Sequence, residues 1–238
     1  VQKPLEQALS KVAATPISTH CAGRTDTGVH GVAQVVHFDD PVGRSQKAWV
    51  MGCNSNLPST VRVLWAKSVP SDFHARFSAV SRHYRYVISN SAIQSPHHAG
   101  LVSHCRKPLD AQAMHDASQA LLGEHDFSAF RAAQCQATHP IREILGVRVK
   151  RVENFVILDI EANAFLYHMV RNLVGSLQMV DLGLRSREWI AELLSGKDRT
   201  LGGDTAGPSG LYLQSITYPE RFGLPVHQAL NSLLLGGG

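Results

Sequence analysis

Two runs with strand character, Ile141–Val152 and Phe155–Glu161, are separated only by Glu153 and Asn154. A two-residue connection leaves no room for a crossover, so the runs must pair antiparallel. The clearest helix of the chain follows at once, over Phe165–Val180. Its apolar stripe is Phe165, Leu166, Met169, Val170, Leu173, Val174 and Leu177, the spacing of a helix with one buried face. His168, Arg171 and Asn172 interrupt this run, which falls short of the roughly 20 apolar residues needed to cross a bilayer. A hairpin beside an amphipathic helix, with strands and helices mixed rather than strictly alternating, predicts an α+β fold.

The remaining elements fit that class. The chain opens inside a helix marked by Leu5, Ala8, Leu9, Val12 and Ala13. Ile17–Ala22 and Val32–Phe38 read as strands, Arg44–Ser55 as a helix, Val61–Val69 as a strand and Asp72–Ala79 as a loop. Tyr84, Tyr86 and Ile88 alternate with Arg85 and Val87, which marks another strand. Ser89–Lys107 reads as a long connection, Asp110–Leu122 as a helix stopped by Gly123, Ser186–Leu194 as a helix and Gly210–Tyr218 as a last strand. A soft boundary between residues 70 and 80 predicts an N-terminal part over 1–75, a C-terminal part over 76–225 and a tail over 226–238.

Composition narrows the class further. An apolar fraction of 44% and a charged fraction of 18% exclude a disordered chain and a coiled coil. Lys+Arg 23 against Asp+Glu 19 gives a net charge of +4, which admits a polyanionic partner without requiring one. The basic residues are 16 Arg and 7 Lys, a bias that suits planar, bidentate contacts to phosphate and also follows from a GC-rich genome. Cys21, Cys53, Cys105 and Cys135 lie far apart, without C-x-x-C or zinc-ligand spacing, and no H-E-x-x-H occurs among the 13 histidines. The adjacent pair His97-His98 reads as surface loop. The N-terminus lacks a signal-peptide pattern, so a reduced, cytoplasmic protein is expected.

The chemistry concentrates in the polar, glycine-punctuated loop Gly23–Gly31, which follows a strand. Glycines there permit positive φ and close approach of a ligand to the backbone, and Arg24 stands two residues before Asp26. Asp26-Thr27-Gly28 spells the aspartic-protease triplet, and Ile144-Leu145-Gly146 resembles that fold's later apolar-apolar-Gly element. That chemistry needs two carboxylates sharing a proton, yet a second triplet is absent and Arg24 and Thr25 replace the expected apolar residues.

The longer strings are more specific. AGRTDTGVHGVAQVVHF (22–38), DFHARFSAVSRHYRYVI (72–88), LLGEHDFSAFRAAQC (121–135), ANAFLYHMVRNLVGSL (162–177) and GLYL (210–213) together resemble the TruA-type tRNA pseudouridine synthases, in order and spacing. The resemblance runs from Leu5 to about Pro225. It implies a pseudouridine synthase fold: a mixed, mainly antiparallel sheet from two ferredoxin-like halves flanked by helices, with a cleft between them. It also implies isomerisation of uridine to pseudouridine at positions 38, 39 and 40 of the tRNA anticodon stem-loop, without cofactor or metal, by a cytoplasmic homodimer. The essential aspartate of the family matches Asp26, its tyrosine Tyr84 and its arginine Arg171. Arg24 matches the arginine before the aspartate, and Leu211 an apolar residue near the target base.

These residue types suit the reaction. A carboxylate can attack a sugar or base carbon, or stabilise cationic character at C1′ and take a proton, and either role needs its ionised form. A neighbouring cation such as Arg171 favours that form. Tyr84 offers a ring for stacking and a hydroxyl, and Tyr86 on the same strand face is its rival. The target base must leave the helix stack, and Arg24 can fill the vacated space or hold a phosphate. Arg76, Arg82, Arg85 and Arg131 are candidates for RNA backbone contacts, while His30 is read as structural or RNA-facing. Arg171 lies off the apolar stripe of its helix and, without the resemblance, would read as solvated. The family begins with a strand and a glycine-containing loop ahead of the helix that opens this chain. Their absence predicts an open sheet edge in the N-terminal part, and a chain that only binds tRNA is the rival expectation.

Overall fold

The computed structural model describes residues Val1–Pro225. They form two units. The smaller holds Val1–Arg24, Gln34–Ala79 and the chain from Tyr218; the larger holds Thr25–Ala33 and Val80–Thr217. The predicted tail over 226–238 lies outside the described residues.

In the smaller unit, helix α1 (Gln2–Ala13) packs on helix α2 (Gln46–Asn56). Leu5, Ala8, Leu9 and Ala13 of α1 meet Trp49 and Cys53 of α2, the apolar stripe that the sequence shows. Ser45 caps α2, its hydroxyl accepting from the Ala48 N–H at 3.2 Å. Strands β1 (His20–Cys21) and β3 (Val36–His37) pair antiparallel over two residues each, shorter than the runs predicted over Ile17–Ala22 and Val32–Phe38. Val61–Val69 forms no strand in the described residues. The N–H and C=O of Val63 are taken instead by the side-chain amide of Asn54 on α2, both at 2.8 Å, so a ladder hydrogen bond is not needed to satisfy them.

The larger unit is built on a seven-stranded mixed sheet ordered β2-β9-β4-β8-β7-β6, with β5 beside β4. The strands are β2 (His30–Gly31), β4 (Ser81–Asn90), β5 (Ser103–Cys105), β6 (Gly123–Asp126), β7 (Ile141–Val152), β8 (Phe155–Ala162) and β9 (Leu211–Thr217). β2 runs parallel to β9 and β5 parallel to β4; the other pairs are antiparallel, so the sheet is mixed and mostly antiparallel. The β7–β8 hairpin turns at Glu153, whose φ of 50° is the left-handed geometry such a short turn requires. Helix α3 (Ala111–Ser118) lies on β7 and contacts both α4 (Met169–Asp181) and α5 (Trp189–Gly196). Their apolar faces bury Met114, Leu173, Val174, Leu177 and Ile190 against Tyr86, Ile144, Leu158 and Ile160 of the sheet. With α1 and α2, five α-helices accompany the mixed sheet among the described residues, an α+β fold of the pseudouridine synthase kind. None of these helices is long and apolar enough to cross a membrane.

The sequence missed three strands: β2 lies at the end of the predicted loop Gly23–Gly31. β5 lies inside the predicted connection 89–107, and β6 starts at Gly123, where a helix stop was read. Helix α4 begins at Met169 rather than Phe165, because His168 takes φ 60° and ψ 5° and ends the preceding turn. Residues 165–168 are therefore a loop at the foot of α4.

Candidate active site

Asp26 belongs to the larger unit, on the loop that enters β2 four residues later. Its carbonyl accepts from the Val29 N–H at 3.0 Å, closing a turn in which Gly28 has φ 86°. A Cβ at Gly28 would stand 3.0 Å from Pro208, so both the conformation and the space favour glycine there. Register places His30 opposite Tyr212, one residue after Leu211, and their rings stack at 4.5 Å.

Two cationic or polar groups of the α4 end converge on one oxygen of Asp26. Arg171 Nη1 lies 3.1 Å from Oδ2, and His168 Nε2 also lies 3.1 Å from Oδ2. Arg171 is buried apart from a small fraction of its side chain, and its Nε donates to the Ala206 carbonyl at 2.7 Å. The Ala206 N–H returns a bond to the Arg171 carbonyl at 3.1 Å. Arg171, which would read as solvated without the resemblance, is thus clamped. Burial, above all, holds the His168 imidazole below the usual histidine range; the Asp26 carboxylate opposes that shift and the Arg171 charge adds to it. A neutral ring then donates from Nε2 to the carboxylate as a hydrogen bond.

The loop ahead of α4 orients His168. The Tyr167 ring stacks on it at 3.9 Å. The Tyr167 N–H donates to Cys135 Sγ at 3.4 Å, and its carbonyl accepts from Ala132 at 3.2 Å. Deeper in α4, the buried Asn172 amide donates to the Phe130 carbonyl at 2.8 Å, and its oxygen accepts from Thr205 Oγ1 at 2.6 Å and Arg199 at 3.1 Å. Segment 202–210, which carries Ala206 and Pro208, is thereby tied to α4.

Tyr84 lies on β4, 9% exposed, with its ring edge-on to Phe165 at 5.1 Å. Its rival Tyr86 is 1% exposed, and its hydroxyl is committed to Ser103 Oγ at 2.5 Å and the Gly207 carbonyl at 2.7 Å. Leu211 sits opposite Tyr86 on β9. Arg82 is half-buried and donates to the Asn163 carbonyl at 2.8 Å. Arg24 and Arg76 are exposed residues of the smaller unit. Arg85 and Arg131 are engaged within the protein. Arg85 grips both oxygens of Asp159, at 2.8 and 3.0 Å, and Arg131 donates to the carbonyls of Cys135 and Ala137. Among the described residues, no cluster of His, Cys, Asp and Glu is placed to hold a metal ion.

Sequence reasoning missed His168, which it treated only as a break in an apolar run. The sequence held no local signal for it, because His168 lies in the left-handed turn ahead of α4 and helical spacing does not extend to it.

A family profile described as tRNA pseudouridine synthase matches residues 117–219. The tRNA pseudouridine synthase A of Idiomarina loihiensis is 54% identical over 225 residues, covering 94% of this chain and 86% of the relative. That of Vibrio vulnificus strain YJ016 is also 54% identical, over 94% and 85%, and that of Enterobacter sp. strain 638 is 53% identical, over 94% and 83%. Identity at this level over nearly the whole chain, on a fold of the right class, places the chain in the tRNA pseudouridine synthase family.

Proposed function

We propose that this enzyme isomerises uridine to pseudouridine in tRNA, at positions 38, 39 and 40 of the anticodon stem-loop, with Asp26 as its essential carboxylate. The observation that carries the reading is the pair of donors on one Asp26 oxygen. Arg171 and His168 both act on Oδ2, which leaves Oδ1 as the oxygen that they do not engage. A carboxylate held this way presents one defined lone-pair set to the substrate at little further cost in orientation.

The reaction breaks the N1–C1′ bond and makes a C5–C1′ bond. The proton on C5 leaves and N1 gains one, so atoms balance without any redox partner. Oδ1 of Asp26 acts on the carbon skeleton, and the charge on Arg171 stabilises the carboxylate between steps. Tyr84 stacks on the extruded uracil and Leu211 supplies an apolar wall. Arg24, Arg76 and Arg82 hold the RNA, Arg24 near the space vacated by the flipped base. The enzyme acts as a homodimer, which sedimentation at micromolar concentration tests directly.

The deciding experiment is tritium release from unmodified tRNA labelled at uridine C5. The chain is expected to release tritium, and Asp26→Ala to lower the rate by at least about 10²-fold, the scale of a lost catalytic acid–base or nucleophilic group. Release that persists in Asp26→Ala would overturn the role of Asp26. Bound tRNA with no release from the unaltered chain would make the protein a binder rather than an isomerase.

A further inference from the structure

The smaller unit carries a ring cluster that the reaction does not use. His20 on β1 and His37 on β3 are register partners, and their rings stack at 5.1 Å. Their neighbours Val36 and Phe38 pack with the α1–α2 core, whereas the two imidazoles stand among His74 and the 73–78 loop. His74 lies 4.5 Å from His37 and 5.4 Å from His20, and the Phe77 ring lies against His74 at 4.3 Å. Phe77 is nevertheless 76% exposed, and the Arg76 guanidinium lies 5.6 Å from its centre.

That exposure belongs to a tightly held loop. The Ala75 N–H donates to His37 Nδ1 at 3.1 Å, and the Arg76 and Phe77 N–H groups donate to His74 Nδ1 at 3.1 and 3.3 Å. His74 and Ser78 exchange two bonds, at 2.8 and 2.9 Å. The Ala75 carbonyl accepts from the Tyr218 hydroxyl at 2.6 Å, and Phe73 packs on Tyr218 and Phe222. Both imidazole Nδ1 atoms act as acceptors, so they carry no proton there. Burial first, then the two neighbouring imidazoles, hold His37 below the usual histidine range, which keeps its ring neutral. A large apolar ring fixed in water next to a cation is the arrangement used to stack an unpaired base and hold its phosphate.

We infer that the His20–His37–His74–Phe77 cluster is a stacking platform for an unpaired nucleotide of the substrate RNA, with Arg76 serving its phosphate; this rests on the tRNA reading above. The occupant follows from charge and shape. Three of the four rings carry polar nitrogens and a guanidinium flanks the fourth, which suits a polyanion with flat bases better than an aliphatic protein surface.

Binding of unmodified tRNA at fixed salt, with tritium release run alongside, tests this. Phe77→Ala should weaken tRNA affinity roughly 5- to 150-fold, the range for loss of one base stack. Ile93→Ala, which removes an equally exposed apolar side chain from the larger unit, should stay within about twofold. Phe77→Trp should keep affinity within a few-fold, and its emission, taken as the difference from the unaltered chain, should be quenched by saturating tRNA. Unchanged affinity in Phe77→Ala, or an unquenched tryptophan at saturation, overturns the platform. So does altered self-association with tRNA affinity retained, which would give the face to protein. Tritium release by the unaltered chain reports separately on the isomerase reading, so failure of the two is distinguishable.

Discussion

His168 holds a left-handed backbone conformation, φ 60°, that costs a non-glycine residue of order 1–3 kcal/mol. The return on that strain is an imidazole placed on Asp26. His168→Gly relieves the backbone and removes the ring together. Turnover should therefore fall about tenfold or more, the scale of a misoriented catalytic group, while the melting temperature drops by no more than about 2 °C; calorimetry beside tritium release checks both. The same ring carries a pH signature. Its folded pKa lies below its unfolded value, so the unfolded chain binds the proton more readily between the two. Its contribution to stability is complete above the unfolded value of about 6.5 and is lost as pH falls through the folded one. Denaturation followed from pH 7.5 to 5 should show this loss in the unaltered chain and a reduced one in His168→Gln. The pairing of Asp26 with Arg171 was legible because long strings around both resemble a family. His168 was not, because its role depends on a backbone angle and on a partner 142 positions away. For a related reason, sequence displays the charge of Arg85 and Arg131 but not the Asp159 carboxylate and the carbonyls that they engage.

At the scale of elements, the position of Arg171 depends on how closely α4 meets segment 202–210. Gly175 of α4 and Gly203 touch backbone to backbone; a Cβ on Gly175 would collide with the Asp204 carbonyl, and one on Gly203 would lie 2.6 Å from the Gly175 carbonyl oxygen. Gly175→Ala should destabilise the fold by about 1–3 kcal/mol through overpacking, read by chemical denaturation, and should lower turnover by displacing Ala206 from Arg171. The helices and the β7–β8 hairpin were legible because their periodicity is long and their connection short. β5 and β6 were not: three- and four-residue strands carry too little pattern, and only the neighbouring edges of β4 and β7 complete them. Val61–Val69 shows the converse, since Val61, Val63 and Ala66 do pack with the α1–α2 core while an asparagine side chain takes the place of a ladder partner for Val63.

For the molecule as a whole, a net charge of +4 and an excess of arginine make tRNA affinity a function of salt. The logarithm of the binding constant should fall linearly with the logarithm of salt concentration, and Arg76→Ala should make that slope shallower by roughly 0.7–0.9, the value of one phosphate contact. Titrations between 50 and 300 mM salt measure it. The class of fold was legible at this scale. The division of the chain was less so, because the two units are not consecutive stretches: Thr25–Ala33, with Asp26 and β2, is grouped with a sheet whose other strands start at Val80. Heredity inherits this interleaving. A gene fragment beginning at Val80 would encode Tyr84, Arg171 and Leu211 but leave Asp26 behind, so any uninterrupted block of coding sequence that carries all four also carries Gln34–Ala79 of the smaller unit.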